Sequence, residues 1–154
     1  MSNMRPEAAD IARLVAAVFE TAGALRRLGD REAATAGQTQ ARWQVMSVVS
    51  DGDRWTVPSA ARRLGITRQS AQRTVDLLAR DGLVELRHNP AHARSPIVTL
   101  TDEGRDVLAA IAAVADRWHA TVAAQVDVDA VRATEATLAE LLRAARDPFS
   151  EVRP

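Results

Sequence analysis

Residues 56–75, with the sequence TVPSAARRLGITRQSAQRTV, contain two short helical patterns separated by one glycine. The spacing of the apolar residues predicts the first helix over Val57–Leu64 and the second over Thr67–Arg80. Gly65 lies between them, and a small residue in such a turn lets two helices cross at a steep angle. Thr67 is a good N-cap because its hydroxyl can accept a hydrogen bond from the first helical turn. The stretch therefore predicts a helix-turn-helix.

After Gly82 the apolar pattern changes from helical periodicity to that of strands. Leu83–His88 and Ile97–Thr101 are rich in branched apolar residues and Thr, which predicts two strands. The loop between them begins with Asn89-Pro90 and is too long for a two-residue turn. A hairpin directly after a helix-turn-helix indicates a winged helix-turn-helix over residues 57–101.

Amphipathic helices are predicted on both sides of this module. Before the module, one helix is predicted over Pro6–Leu28, with Gly29 as its C-cap, and a second from Thr39 to Gly52. After the module, a long helix begins at Thr101–Gly104 and carries an apolar stripe from Val107 to Val126. A last helix follows Asp127–Asp129. A chain of 154 residues has little interior to receive the stripes of all the outer helices. Because a second copy of the chain would bury them, we expect a homodimer.

The expected fold class is mainly α (α+β), a winged helix-turn-helix with flanking dimerisation helices. We expect residues 1–154 to form a single domain. Within it, residues 39–101 form the winged helix-turn-helix module, and residues 6–36 and 102–147 form the dimerisation helices.

Composition excludes several classes of protein. The chain has 20 basic side chains, all of them Arg, and 20 acidic ones, so its formal net charge is zero. This excludes a uniformly basic chromatin-type protein and a strongly charged disordered chain. The absence of cysteine excludes disulfides, thiol switches and cysteine-based zinc sites. No apolar run approaches the ~20 residues of a membrane span, and the N-terminus does not resemble a signal peptide. We therefore expect a cytoplasmic protein with no membrane partner.

The neutral total hides an uneven distribution of charge. Between Ala60 and Arg94 there are seven arginines and three acidic residues, a net charge of +4, and the rest of the chain carries −4. A local basic segment of this kind is the electrostatic signature of nucleic-acid binding.

The second helix of the module has one apolar and one polar side. Ala71, Val75 and Leu78 share the apolar side. The opposite side and its flank carry Arg68, Gln69, Gln72, Arg73 and Asp76. Gln and Arg can each form two hydrogen bonds to a purine edge in the major groove. An ordinary solvated helix face is the other interpretation, but the preceding turn, the following hairpin and the local charge favour DNA recognition.

The quoted segment resembles the helix-turn-helix of the MarR family of bacterial transcriptional regulators. Asp81-Gly82-Leu83-Val84, Asn89-Pro90 and residues 98–104 (VTLTDEG) continue the likeness, and Trp43-Gln44-Val45-Met46 resembles the second helix of that family. The similarity in element order covers about residues 8–146. It implies a transcriptional regulator that binds double-stranded DNA at a palindromic operator as a homodimer, and ligand-responsive repression is the usual mode.

These considerations divide the expected DNA contacts into two groups. Direct contacts are expected from Thr67, Arg68, Gln69, Gln72, Arg73 and the wing-tip Arg94, and phosphate contacts from Arg62, Arg63 and Arg87. The family usually carries an Asp two residues before the wing-tip Arg, and His92 occupies that position here. Because His92 cannot form the Asp–Arg pair, we expect the tip around Ala93 to be more mobile in the absence of DNA.

The resemblance also implies a small aromatic or phenolic effector. Trp43, Met46 and Trp118 are the candidates for its pocket, between the dimerisation helices and the DNA-binding module. Trp at helical spacing among Val and Leu is also typical of core packing, so both interpretations remain open.

Other functions have less support in the sequence. The chain lacks a Gly-rich phosphate loop, a G-x-S-x-G elbow and an H-E-x-x-H motif, so we do not expect an enzyme. His88, His92 and His119 have no cysteine partners, and we expect no metal site and no cofactor. The alternative that remains open is a winged-helix protein–protein interaction module that does not bind DNA.

Overall fold

The computed structural model describes residues 6–52, 54–92 and 94–146, and this part of the chain contains six helices and one β-hairpin. The elements are α1 (Ala8–Ala34), α2 (Gln40–Val49), α3 (Val57–Leu64), α4 (Arg68–Arg80), β1 (Val84–Arg87), β2 (Ile97–Leu100), α5 (Asp102–Ala123) and α6 (Val128–Arg146). The predicted mainly α fold with a winged helix-turn-helix is therefore confirmed. The described residues fall into two compact units, one ending at Ala115 and the other starting at Asp116.

Local hydrogen bonds determine where α3 begins and ends. The Thr56 hydroxyl accepts a hydrogen bond from the Ser59 amide, and the Ser59 hydroxyl accepts one from the Thr56 amide, which forms a capping box. Pro58 lies in the first turn, where no intrahelical bond needs its missing N–H. Gly65 has φ +66°, a left-handed conformation that ends the helix and favours glycine. The predicted bounds of this helix are confirmed.

The apolar side of α4 is buried, as predicted. Ala71, Val75 and Leu78 are fully covered, whereas the residues on the opposite side are exposed. Thr67 is the N-cap, and its hydroxyl accepts a hydrogen bond from the Ser70 amide at 3.1 Å. Burial of the apolar stripe therefore determines which side chains of α4 face solvent.

The hairpin is attached to the start of the helix-turn-helix. β1 and β2 are antiparallel, with Val84 opposite Leu100. The Val98 amide donates to the Trp55 carbonyl oxygen at 2.7 Å, and Thr56 forms an isolated bridge with Ile97. Trp55 and Thr56, which precede α3, thus pair with β2, and this pairing holds the wing beside the helix-turn-helix.

The core of the first unit is centred on α2. Its largest fully buried side chains are Val45 and Met46 of α2, Val75 and Leu78 of α4, Val98 of β2 and Ile111 of α5. Complete burial of each such side chain contributes about 1.5–3 kcal/mol. The wider core also contains Ala33 of α1, Val57 and Ala61 of α3 and Val84 of β1, so seven elements share the packing that orients α4.

Two predicted features of the outer helices are wrong. α1 continues to Ala34, so Gly29 is not its C-cap but a buried residue within the helix. A Cβ atom at Gly29 would lie 2.8 Å from Cγ of Gln40, so the glycine instead permits close contact between α1 and the start of α2. Gly37, with φ +68°, is the left-handed residue that follows α1. Val126 lies beyond the end of α5 and is not part of its apolar stripe.

A glycine also permits the first turn of α5 to lie close to the backbone at the start of the hairpin. A Cβ atom at Gly104 would lie 1.9 Å from the Leu83 carbonyl oxygen, which no side chain can tolerate without movement of the backbone. The Thr101 hydroxyl donates to the Gly82 carbonyl oxygen at 2.6 Å and accepts from the Gly104 amide at 3.0 Å. The Leu-Thr-x-x-Gly sequence therefore joins the end of the hairpin, the turn after α4 and the first turn of α5.

The second unit contains the end of α5 and the whole of α6. No residue of α6 is buried within one copy of the chain, and the exposed side chains include Val128, Val131, Leu138 and Leu142. No single helix among the described residues is both long and apolar enough to cross a membrane.

We expect the Gly104→Ala substitution to lower the free energy of unfolding by about 1–3 kcal/mol or more, because the added methyl group overlaps the Leu83 carbonyl. Gly23→Ala is the matched control, since a Cβ at Gly23 would meet only the Arg27 guanidinium, at 3.6 Å. This control should stabilise the protein by ~0.5–1 kcal/mol, as alanine favours helix. Urea denaturation of both variants measures the difference. Equal stability of Gly104→Ala and the wild type would contradict the close approach.

Candidate nucleic-acid interface

The exposed side of α4 forms a shallow groove of about 840 Å³. Its lining residues are Arg68, Gln69, Gln72, Arg73, Asp76, Leu77 and Arg80. Four of the predicted base-contacting side chains thus lie together on one open surface. Hydrogen-bond donors and acceptors of this kind, on the exposed side of a helix, suit the major groove of DNA.

The arginines of this surface have different electrostatic surroundings. Arg68 and Arg73 form no ion pair with any carboxylate in the described part of the chain. By contrast, Arg13, Arg132 and Arg143 each pair with an acid three residues away on the same helix. The guanidinium groups of Arg68 and Arg73 are therefore available to an external anion, whereas Arg80 of the same groove pairs with Asp81.

The first turn of α4 adds backbone donors to the same surface. Thr67 uses its hydroxyl oxygen to accept from the Ser70 amide and donates its proton to the Ser70 hydroxyl at 2.9 Å. The remaining amides of the first turn have no intrahelical acceptor and lie at the positive end of the helix dipole. A phosphate at this position would be held by the amides and by Arg68 together.

The three predicted phosphate-contacting arginines have different surroundings. Arg62 and Arg63 lie in the last turn of α3, are exposed and have no ion-pair partner among the described carboxylates. Arg87 is engaged by Glu85, which accepts from its Nε at 2.8 Å, and Glu85 also accepts from the Thr99 hydroxyl at 3.4 Å. A phosphate contact by Arg87 therefore requires exchange of a carboxylate for a phosphate, whereas Arg62 and Arg63 need no such exchange.

The wing loop is held by a residue that sequence reasoning missed. Asn89 is buried, donates from its side-chain amide to the Ser95 carbonyl oxygen at 2.7 Å and accepts from the Ala91 amide at 3.0 Å. The Ser95 amide in turn donates to the His92 carbonyl oxygen at 2.9 Å. These bonds close the loop that presents the exposed Arg94. Ala93 lies outside the described residues, so the expected mobility of the tip stays a prediction.

A second missed residue, Arg42, connects α2 to the end of α4. Its Nη2 donates to the Leu77 carbonyl oxygen at 3.2 Å and also to the Asp81 carboxylate. The hydrogen bond from Arg42 is the main cause that lowers the pKa of Asp81 below its ordinary value of 3.8. Arg42 thus stabilises the C-terminal end of α4, where the last carbonyl groups lack intrahelical partners. Only the tertiary contact between helices reveals this role, since 35 residues separate Arg42 from Leu77.

The three predicted effector-pocket residues have different environments. Trp43 packs against the core and also lines a groove of about 360 Å³ with Gln44, Arg63 and neighbouring residues of α2 and α3. Met46 is fully buried and does not line that groove. Trp118 is exposed in the second unit, with its ring edge-to-face against His119 at 5.6 Å. An effector and its pocket stay predictions.

The histidines are spread over the surface. His88 and His92 are exposed, and His119 lies 3.6 Å from Asp116. Within residues 6–52, 54–92 and 94–146, no group of three or more His, Asp or Glu side chains is placed to hold a metal ion.

The fold and this surface define a winged helix-turn-helix transcription regulator. The sequence profile of the MarR family matches residues 36–95. The chain is similar to the crystal structure of the MarR family transcription regulator SP03579, with 26% identity and a TM-score of 0.71 over 94% of this chain and 97% of that one. The chain belongs to the MarR family.

Two similar proteins come from Mycobacterium tuberculosis. The uncharacterized protein Rv2011c is 53% identical over 133 residues, which cover 86% of this chain and 92% of that protein. The transcriptional regulator MosR, whose crystal structure is in complex with DNA, is 31% identical with a TM-score of 0.65. That similarity covers 84% of this chain and 98% of MosR.

We expect the Arg42–Asp81 interaction to stabilise the protein in a pH-dependent way. Because the folded-state pKa of Asp81 is lowered, its contribution is complete above pH 3.8 and is lost as the pH falls through the folded-state pKa. The wild type should therefore be more stable than Asp81→Asn at neutral pH, and the difference should shrink in acid. Urea denaturation from about pH 7 to about pH 3 measures it.

Arg42→Met is the second variant, because it removes the cation but keeps an apolar side chain of similar length. It should abolish most of the pH dependence attributed to Asp81. A stability difference that stays constant throughout the acid range in both variants would show that packing, and not the ion pair, is responsible.

Proposed function

We propose that the chain is a homodimeric, ligand-responsive repressor that binds a palindromic operator in double-stranded DNA. The observation that carries the proposal is the exposed side of α4, where Arg68 and Arg73 have no ion-pair partner in the described chain and lie beside Gln69 and Gln72. In this proposal residues 39–101 bind DNA, and residues 6–36 and 102–147 form the dimer. A DNA-binding regulator of this bacterial family acts in the cytoplasm.

The proposed DNA contacts differ in the part of the DNA that each side chain touches. Gln69, Gln72 and Arg73 contact base edges in the major groove, and Thr67 with Arg68 holds the phosphate at the helix start. Arg62, Arg63 and Arg87 contact flanking phosphates, and Arg94 enters the minor groove, where a narrow groove strengthens the negative potential. Phosphate contacts position the protein, and the base contacts give the sequence preference.

The dimer is supported by apolar side chains that one copy of the chain leaves exposed. In α1, Phe19 is 75% exposed and Leu25 43%, and in α6, Val128 is 58% exposed and Leu142 52%. Burial of such side chains against a second copy removes them from water, and two-fold symmetry presents two copies of α4. The half-sites should then lie about 10–10.5 base pairs apart, centre to centre, or at a multiple of that spacing.

Membership of the MarR family favours repression of transcription over activation. The bound DNA sequence, placed within the promoter of a reporter gene, distinguishes repression from activation, because a repressor lowers expression and an activator raises it.

We expect the combined variant Arg68→Ala, Arg73→Ala and Arg94→Ala to lose most of its affinity for DNA selected by the wild type. Each lost phosphate contact should also reduce the slope of log affinity against log salt by about 0.9. Fluorescence anisotropy with labelled DNA at several salt concentrations measures both quantities.

The matched control replaces Arg13, Arg132 and Arg143 by Ala, which removes the same charge from surface ion pairs outside residues 39–101. These arginines lie on the helices that form the proposed dimer, so ultracentrifugation must first show that this variant remains dimeric. As a dimer it should bind DNA nearly as well as the wild type. Undiminished affinity of the first variant would disprove the assigned surface. If the wild type selects no DNA sequence, the protein–protein interaction module becomes the better proposal.

We expect Leu138→Glu combined with Leu142→Glu to convert the dimer to monomers, because burial of two carboxylates in an apolar interface is unfavourable. Analytical ultracentrifugation at micromolar concentration measures the change. Leu86→Glu is the control, since Leu86 is similarly exposed, at 47%, but belongs to β1 of the wing. A wild type that sediments as a monomer would refute the proposed dimer.

A further inference from the structure

An acidic residue lies in the middle of the otherwise basic and amide-rich side of α4. Asp76 lines the same groove as Gln72 and Arg73. Its Oδ1 accepts a hydrogen bond from Nε2 of Gln72 at 2.8 Å, one helical turn earlier. Both side chains are exposed, so nothing in the core requires this contact.

The hydrogen bond determines the orientation of the Gln72 amide. An ionised carboxylate can only accept hydrogen bonds, so the NH₂ group of Gln72, and not its carbonyl oxygen, must face Asp76. Gln72 then keeps two free groups for a ligand, its Oε1 acceptor and the second hydrogen of Nε2. Without such a partner the amide can rotate by half a turn, and the positions of donor and acceptor exchange.

One acceptor and one donor side by side match a particular base. Adenine presents the N7 acceptor and the N6 amino donor in the major groove, whereas guanine presents two acceptors, N7 and O6. The oriented Gln72 amide can therefore satisfy adenine with two hydrogen bonds. The negative charge of Asp76 additionally disfavours the two acceptors of guanine, which is repulsion against the wrong base.

We propose that Asp76 is a positioning residue for sequence recognition, which orients the amide of Gln72 so that it selects adenine over guanine. The inference depends on the proposed function, because it requires α4 to lie in the major groove. Asp76 acts through Gln72 and forms no base contact of its own. Arg73 has no ion pair with Asp76 among the described residues, so its guanidinium remains available beside the oriented amide.

The test compares base preference rather than overall affinity. Random-sequence selection with the wild type gives the operator, and the position where Gln72→Ala abolishes the preference is the base that Gln72 contacts. At this position we expect the wild type to prefer adenine over guanine by about 5- to 100-fold, as for a bidentate contact. Competition binding with operators that differ only at this base pair measures the ratio.

Asp76→Asn should reduce this preference several-fold, because an asparagine amide can pair with either orientation of Gln72. Its affinity for random DNA should be equal or higher, since a negative charge near the phosphates has been removed. Asp76→Glu should retain much of the preference, because it restores a group that only accepts hydrogen bonds. If Asp76 only stabilised the helix, Asp76→Asn and Asp76→Glu would not differ in base preference. Thermal unfolding of each variant measures the effect on stability directly.

The double variant Gln72→Ala with Asp76→Asn separates action through Gln72 from direct contact. If Asp76 acts through Gln72, the Asp76 substitution changes no base preference once Gln72 is absent. An unchanged adenine preference in Asp76→Asn would overturn this inference and leave the proposed function intact. A loss of preference at a different base pair would also overturn it, because Asp76 would then contact that base itself. A wild type that binds no DNA would overturn both.

Discussion

The arrangement of the side chains on the exposed side of α4 depends on burial of one apolar stripe. Ala71, Val75 and Leu78 are fully covered by the core that α2 organises. A helix has only one orientation that buries such a stripe, so the opposite side must face solvent. Gln69, Gln72, Arg73 and Asp76 are outside for this reason, and the same packing holds them close together without any ligand.

Hydrogen bonds at both ends of α4 further fix that orientation. At the start, Thr67 and the left-handed Gly65 set the angle between α3 and α4. At the end, Arg42 holds the Leu77 carbonyl and the Asp81 carboxylate. The Thr101 hydroxyl then binds the turn that follows α4, and Gly104 permits α5 to start against it. In our proposal these hydrogen bonds act together with the buried stripe to support the surface that faces DNA.

The zero net charge of the chain includes arginines that pair with acids and arginines that do not. Some arginines of the flanking helices are paired with acids on the same helix, as with Arg13 and Arg143. Arg68 and Arg73 on the exposed side of α4 lack such partners among the described residues, whereas Arg80 pairs with Asp81. The one acid on that surface, Asp76, pairs with an amide and not with a guanidinium. In our proposal its charge orients that amide, and the guanidinium groups of Arg68 and Arg73 remain accessible to DNA.

The sequence by itself determined the elements whose signals are local. The bounds of α3, the caps Thr39 and Thr67, the hairpin and the buried stripe of α4 all follow from capping chemistry and periodicity. Only the tertiary structure decided the functions of Gly29, Asn89, Gly104 and Arg42, which depend on neighbours distant in sequence or on the path of a loop. Gly29 is an example: in the sequence it resembles the C-cap of the first helix. Only the position of the Gln40 side chain explains why a glycine is needed there. Local hydrogen bonds are encoded within a few residues, whereas close approach between elements exists only once the core has formed.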